Sequence, residues 1–188
     1  MKLRTLFVFL LIMALLDTLI VYIWPPDFTF QAISCVPHLC FMALLLLVYK
    51  RNWIDRVLIG ILCGLIYDYF FLSTFPLSTI LFPAACFGLG WLIEKVSDDV
   101  RWLSLGTMGC VILLDILPFI VSKLFGQVTV SFSRWFVHVE LLTIVFHCAA
   151  LLDLYYIIDV MDRISTRHSN QKNAMEKKNY RRIRSFGK

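Results

Sequence analysis

Long apolar runs separated by short polar connections fill the first 160 residues of the chain. A helix needs roughly 20 apolar residues to cross a hydrocarbon core of about 30 Å. Six such runs can be read, at about residues 5–24, 30–49, 54–72, 77–93, 102–125 and 135–158. They are continuously apolar rather than alternating, which disfavours a β-barrel, and backbone polar groups in hydrocarbon must then pair within helices. The pattern predicts an all-α integral membrane protein with a six-helix transmembrane domain over residues 1–160.

Composition strengthens this interpretation. Of the 188 residues, 60% are apolar and only 16% are charged, whereas soluble domains average about 45–50% and 25%. So much apolar surface cannot be buried within one soluble domain of this size. A soluble enzyme, a disordered protein and a disulfide-stapled secreted module are therefore excluded. The six cysteines all lie in predicted spans without a CxxC pair, so we expect small packing residues and no disulfide framework.

The distribution of basic residues predicts the orientation. With the N-terminus in the cytoplasm, 16 of the 18 Lys and Arg fall inside and only Lys123 and Arg134 outside, which requires an even number of crossings. The first run is too long for a signal peptide and lacks a small-x-small cleavage site, so we expect it to remain as a helix. Interfacial aromatics are expected at four span ends: Trp24, Trp53, Trp102 and Trp135.

Residues 161–188 form a basic segment after the last predicted span. From Asp162 onward it carries nine Lys and Arg against two acids. We expect a disordered cytoplasmic tail that is attracted to anionic lipid, with docking onto an acidic partner as an alternative. No nucleic-acid-binding fold accompanies the charge, so nucleic acid is not an expected partner. The candidate lipid-binding residues are Lys177, Lys178, Arg181, Arg182 and Arg184.

Polar residues within predicted spans are costly in hydrocarbon and therefore mark candidate functional positions. Under the predicted orientation most of them collect toward the outer side, which indicates either a polar cavity or hydrogen bonds that only hold the bundle together. On the last span, three of them recur at helical spacing and share one face. A metal site is not expected, because His138 and Glu140 are two residues apart and so face different ways. The candidates are Asp17, His38, Asp115, Glu140, Thr143 and His147.

The third span carries the most specific pattern. Gly60 and Gly64 form a GxxxG, which allows two helix backbones to approach closely. Asp68 lies four residues further along the same face, beside Tyr67. We interpret these residues, with Leu65, as a surface for a partner or sibling helix, the alternative being tight packing within the bundle. Prolines are expected to kink three spans, at Pro37, Pro83 and Pro118.

The chain resembles the MreD family of bacterial rod-shape and cell-wall elongation proteins over about residues 3–160. The resemblance is strongest in the pattern G-x-x-x-G-L-x-x-D from Gly60 to Asp68. The turn at residues 72–74, Gly88 in the fourth span, Asp17, Pro37 and Asp115 also fit. MreD-like proteins are similar in fold to the six-helix substrate-binding subunits of energy-coupling vitamin transporters. The basic tail departs from the family pattern, which leaves its role unassigned by the resemblance.

The resemblance implies a non-enzymatic scaffold in the bacterial cytoplasmic membrane. Its implied partners are an MreC-like bitopic protein and the complex of a RodA-type polymerase with a penicillin-binding protein, which together govern cell shape and the site of peptidoglycan synthesis. No cofactor is implied. Homo-oligomers through the GxxxG pattern are a further expectation.

Two other classes of function share features with this sequence. An intramembrane aspartyl protease needs two aspartates that share a proton, and Asp115 lacks the Gly-x-Gly-Asp context that normally accompanies a Tyr-Asp such as Tyr67-Asp68. A substrate-binding subunit of a vitamin-type transporter fits the size, the helix number and an outer polar cavity. Its predicted outer loops are very short, however, so little chain would be left to cover a bound vitamin.

Overall fold

A computed structural model describes residues 3–27, 29–70, 77–97, 99–126 and 128–186. The fold within these ranges is all-helical, with no strand among the residues described. The helices are α1 (Leu3–Ile23), α2 (Leu39–Val48), α3 (Trp53–Phe70), α4 (Leu77–Val96), α5 (Val100–Leu124), α6 (Phe132–Trp135) and α7 (Leu141–Phe186). A π-helical turn, Phe136–Glu140, joins α6 and α7 into one continuous rod.

Four of the described helices are long and apolar enough to cross a membrane. They are α1, α4, α5 and the α6–α7 rod over residues 132–167. Helix α2 has ten residues, or about 15 Å at 1.5 Å per residue, which is half a hydrocarbon core. Helix α3 is continuous, but charged residues interrupt its apolar sequence at Asp55, Arg56 and Asp68. The class of protein is thus an all-helical membrane protein.

Helix α2 is the centre of the bundle. Its residues from Cys40 to Leu46 and Val48 are all buried, and it contacts α1, α3, α4, α5 and α7. A helix that is apolar on every side has no polar face to show to water and is stable only when surrounded. Leu-rich α2 therefore forms the core around which the longer helices pack.

The predicted second span is only half right. Helix was predicted over residues 30–49, but residues 29–38 are irregular and α2 begins at Leu39. Proline removes a backbone donor and biases the preceding residue away from helix. Pro37 therefore lies in the irregular segment just before α2 instead of kinking a helix. Pro83 and Pro118 do lie inside helices, in α4 and α5. The turn at residues 72–74 lies outside the described residues.

The predicted disordered tail is also wrong in the structure, where α7 continues to Phe186. No Gly or Pro occurs between Gly126 and Gly187, and the tail is rich in Lys and Arg, which favour helix. Because the segment continues an existing helix, it does not need the unfavourable nucleation step that an isolated helix would need. The five candidate lipid-binding residues lie on this helix, and nothing is described of their side chains.

One aromatic was assigned to the wrong environment. Trp24, Trp53 and Trp102 are about half exposed, as residues facing an interface would be. Trp135 is 4% exposed and stacks against Phe119, with ring centroids 4.7 Å apart. The position of a tryptophan near a span end did not distinguish an interfacial residue from one packed between helices.

Candidate functional site

The polar residues of the bundle converge on the irregular segment at residues 34–38 and the start of α2. Asp17 of α1 is fully buried, and its two carboxylate oxygens accept hydrogen bonds from the backbone N–H groups of Leu39 and Cys40, each at 2.9 Å. The first N–H groups of any helix lack partners within that helix. Asp17 thus supplies from another helix the acceptor that a capping residue normally provides.

The α7 rod holds the same segment from the opposite side. His147 Nε2 accepts the N–H of His38 at 2.9 Å, and Thr143 Oγ1 accepts the N–H of Val36 at 3.1 Å. Further along, the N–H of Ser34 donates to the carbonyl of His138 at 2.8 Å. Irregular backbone at membrane depth is tolerated only where protein groups satisfy it. These contacts explain how residues 34–38 remain inside the bundle without being helical.

The three polar residues predicted to share one face of the last span all lie inside the bundle. Glu140, Thr143 and His147 are each fully buried on one side of the rod. Because His147 Nε2 is an acceptor, the hydrogen-bond pattern assigns its proton to Nδ1, which lies 2.7 Å from the carbonyl of Thr143 and donates to it. His147 is therefore a neutral acceptor in this arrangement, and its role is to hold the backbone.

His38 and Asp115 form a polar pair between α2 and α5. His38 Nε2 lies 2.8 Å from Asp115 Oδ1. The His38 ring also stacks on His147, with centroids 5.6 Å apart and planes inclined by 14°, and the Tyr67 hydroxyl lies 3.4 Å from His38 Nδ1. Three of the sequence candidates are thus brought into direct contact with one imidazole. Asp115 Oδ2 has no hydrogen-bond donor in the part of the chain that the structure describes.

Glu140 closes the π-helical turn and has an unusual environment. Its side chain is fully buried, and neither carboxylate oxygen has a hydrogen-bond partner among the described residues. It interacts electrostatically with Asp115 and His38. π-Helical turns inside longer helices are frequent at functional sites. The sequence identified Glu140 as a candidate, but the π-helical turn itself has no clear sequence signal.

Asp68 and the two glycines of α3 face α4. Asp68 accepts the N–H groups of Ser78 and Thr79 at 3.1 and 2.8 Å, and the Thr79 hydroxyl at 2.7 Å, so it caps the start of α4. A Cβ added to Gly60 or Gly64 would lie 2.7 or 2.5 Å from the backbone of α4. The glycine face is therefore occupied within the bundle.

This arrangement corrects the interpretation of the third span as a partner surface. The alternative considered from the sequence, tight packing, describes Gly60, Gly64 and Asp68, because α4 fills the space that a second protein would need. Tyr67 is buried against α2 and α4. Leu65 points the other way and is 49% exposed, so it does not belong to the same surface.

A cavity of about 350 Å³ lies beside the His38–Asp115 pair. Its polar lining includes Ser34, His38 and Asp115, and its aromatic lining includes Phe30, Phe119 and Trp135. No Lys or Arg lines it among the residues described. A compact metal site is not formed, since no group of three His, Cys, Asp or Glu in the described ranges could hold an ion.

The sequence missed an ion pair between a buried arginine of α3 and an exposed glutamate of α4. Arg56 of α3 is 4% exposed, pairs with Glu94 of α4, and lies against Gly90. An arginine with a glycine on the adjacent helix face gives no strong signal in a single sequence. The pair and the Asp68 cap fix the two ends of the α3–α4 hairpin.

Comparison of the chain with known protein families, curated proteins and solved structures finds no match. The geometry defines the class, an all-helical membrane protein in which several buried polar side chains accept hydrogen bonds from its own backbone.

Proposed function

We propose that this chain is a non-enzymatic membrane scaffold of the MreD type, acting in bacterial cell-wall elongation. The observation that carries the proposal is that two of the acids within the bundle cap the starts of its own helices. Asp17 caps α2 and Asp68 caps α4. Such caps stabilise a fixed arrangement of helices, which is what a scaffold needs.

The pattern behind the family resemblance also acts as one physical unit. Gly60, Gly64 and Asp68 all meet the N-terminal half of α4, the glycines by close approach and the aspartate by hydrogen bonds. A family pattern with these residues at this spacing would be expected wherever the same α3–α4 hairpin is built. This supports the resemblance without identifying the surface that partners contact.

The proposed topology has six crossings and both termini in the cytoplasm. In this arrangement α2 and the irregular segment before it form one crossing together, and α3 forms another. Helix α7 alone has 46 residues, or about 69 Å at 1.5 Å per residue, roughly twice the thickness of a hydrocarbon core. Its basic end would then extend along or beyond the cytoplasmic surface and contact anionic lipid or an acidic partner.

The proposed partners are an MreC-like bitopic protein and the RodA-type polymerase with its penicillin-binding protein. The test is affinity purification of the tagged full chain from native membranes in a gentle detergent, followed by mass spectrometry of co-eluting proteins. Recovery of a bitopic protein with an extracytoplasmic domain, together with wall synthases, is expected. Depletion of the chain should also widen or round rod-shaped cells, and re-expression should restore their width. Recovery of neither partner class would refute the proposal.

A second candidate function is favoured by one specific observation. The 350 Å³ cavity has the size of a small-molecule site, as a substrate-binding subunit of a vitamin-type transporter would require. The same purification separates the two functions, because such a subunit would co-elute with a pair of ATPases and a transmembrane coupling protein instead of wall synthases.

A further inference from the structure

The cavity beside His38 and Asp115 has hydrogen-bond acceptors that lack donors. Asp115 Oδ1 is paired with His38, but Asp115 Oδ2 has no donor among the described residues. The hydroxyl of Ser34, which also lines the cavity, has no partner there either. Buried polar atoms in folded proteins nearly always have partners, so each exception needs an explanation. The missing group is one that donates hydrogen bonds.

The carboxylates that line the cavity are its charged groups of fixed sign. Asp115 and Asp27 are among its lining residues, and no Lys or Arg of the described chain lines it. The Asp115 carboxylate is hydrogen-bonded to His38 through Oδ1, and its Oδ2 has no donor among the described residues. A buried unpaired charge is strongly unfavourable, and a cation would relieve it.

The walls of the cavity favour an organic cation over a bare inorganic one. Phe30, Phe119 and Trp135 form a connected aromatic cluster, with Phe119 stacked on Trp135 and edge-on to Phe30. Aromatic faces attract ammonium groups and bury apolar carbon. Lys123 lies over the Phe119 ring, 5.8 Å from its centroid, without lining the cavity. The volume of about 350 Å³ is at the lower end of the range for small-molecule sites.

We propose that this cavity binds a small organic ammonium ion with an aromatic or branched apolar body. The ammonium group donates to Asp115 Oδ2 and the Ser34 hydroxyl, and the apolar body lies against Phe119 and Trp135. The binding site is inferred from the fold alone, and this inference does not depend on the scaffold function proposed above.

Three probes that share one apolar body test the proposal on the full chain in detergent. They are phenethylammonium, neutral 2-phenylethanol and anionic phenylacetate, measured by isothermal titration calorimetry and by tryptophan fluorescence. The ammonium should bind saturably, the alcohol at least about ten-fold more weakly, and phenylacetate not at all. The expected ratio follows from the roughly 1.5–3 kcal/mol of a charged hydrogen bond, with ten-fold per 1.4 kcal/mol.

Variants locate the site. Asp115→Asn should weaken ammonium binding at least about ten-fold and leave binding of the alcohol nearly unchanged. Ser122→Trp, on a cavity-lining position of α5, should block both probes. Asp153→Asn is the matched control, because this exposed α7 carboxylate does not line the cavity and its loss should change nothing.

Equal affinity for the three probes would overturn the proposal and leave an apolar cavity filled by water or detergent. Unchanged ammonium binding in Asp115→Asn would overturn it as well. If Asp115→Asn fails to fold because His38 loses its partner, the ranking of the three probes on the wild-type chain decides. Tight binding of sodium alone, without preference among the organic probes, would also contradict it.

Discussion

The close approach of α3 to α4 at Gly64 gives the sharpest prediction about stability. Substitution of Gly64 by alanine adds a Cβ that would lie 2.5 Å from the Ser78 carbonyl oxygen and 2.7 Å from the Thr79 Cα. These neighbours are backbone atoms, which cannot rotate away as a flexible side chain can. Ordinary contact begins near 3.4 Å, so the first turn of α4 must move by roughly 1 Å.

The magnitude has two parts. Overpacking a well-filled interface costs about 1–3 kcal/mol. The same movement stretches the hydrogen bonds of Asp68 to the Ser78 and Thr79 amides, now 3.1 and 2.8 Å long, at about 1 kcal/mol each. Alanine regains about 0.5–1 kcal/mol of helix propensity. We expect Gly64→Ala to destabilise the protein by about 2–4 kcal/mol.

The assay is thermal unfolding of purified protein in a mild detergent, and Gly88→Ala is the matched control. Gly88 lies in α4, and a Cβ added there meets nothing within 4 Å. This control should therefore be neutral or slightly stabilising. The reasoning would be refuted if both variants unfolded at the same temperature, because the α3–α4 contact would then not be tight in the folded protein.

Three other predictions concern individual acidic side chains. Asp17→Leu should lower the free energy of unfolding by about 2–5 kcal/mol, because two buried amides lose their acceptor. Asp17→Asn should lower it less, because one acceptor remains. Chemical denaturation in detergent measures the two losses, and equal losses would argue against the cap. Glu140→Gln should not destabilise the protein, since it replaces a buried carboxylate that has no donor among the described residues with a neutral side chain. A loss of more than about 1 kcal/mol of unfolding free energy in the same assay would reveal a partner for the carboxylate charge. Hydrogen bonds from Ala32 and Thr29 hold the pKa of Asp27 well below its usual range. The pKa of Asp27 in the folded state is therefore below its value of about 3.9 in the unfolded chain. The contribution of Asp27 to stability is full above about pH 5 and is lost on acidification. Asp27→Asn should abolish this pH dependence of stability, which acid titration followed by amide exchange measures.

Helix positions could be predicted where apolar residues run without interruption. The predicted bounds of the first, fourth and fifth spans agree with α1, α4 and α5 within three residues. The second span failed because apolar residues 30–36 satisfy the same hydropathy pattern whether they are helical or irregular. Only the acceptors supplied by Thr143, His138 and His147 from a distant helix allow the irregular form.

The polar candidates were identified by one rule, the cost of an ionisable group in hydrocarbon, but their roles were not. Asp17, Asp68 and His147 each accept backbone amides from another part of the chain, at separations of 10 to 109 residues. A single sequence contains no signal for such pairings. The same limit applies to Gly60 and Gly64, whose spacing predicts a close helix contact but does not tell which helix provides it.

The sequence by itself determined that the chain is an all-helical membrane protein, since so high an apolar fraction in long runs can be buried only in lipid or against other helices. It also determined which polar residues matter, because each must find a partner or destabilise the bundle. The tertiary structure alone decided the partners: which helix starts are capped, which face the glycines meet, and where acceptors are left without donors. These contacts join residues far apart in the chain, so they are fixed by how the helices pack and not by any local pattern.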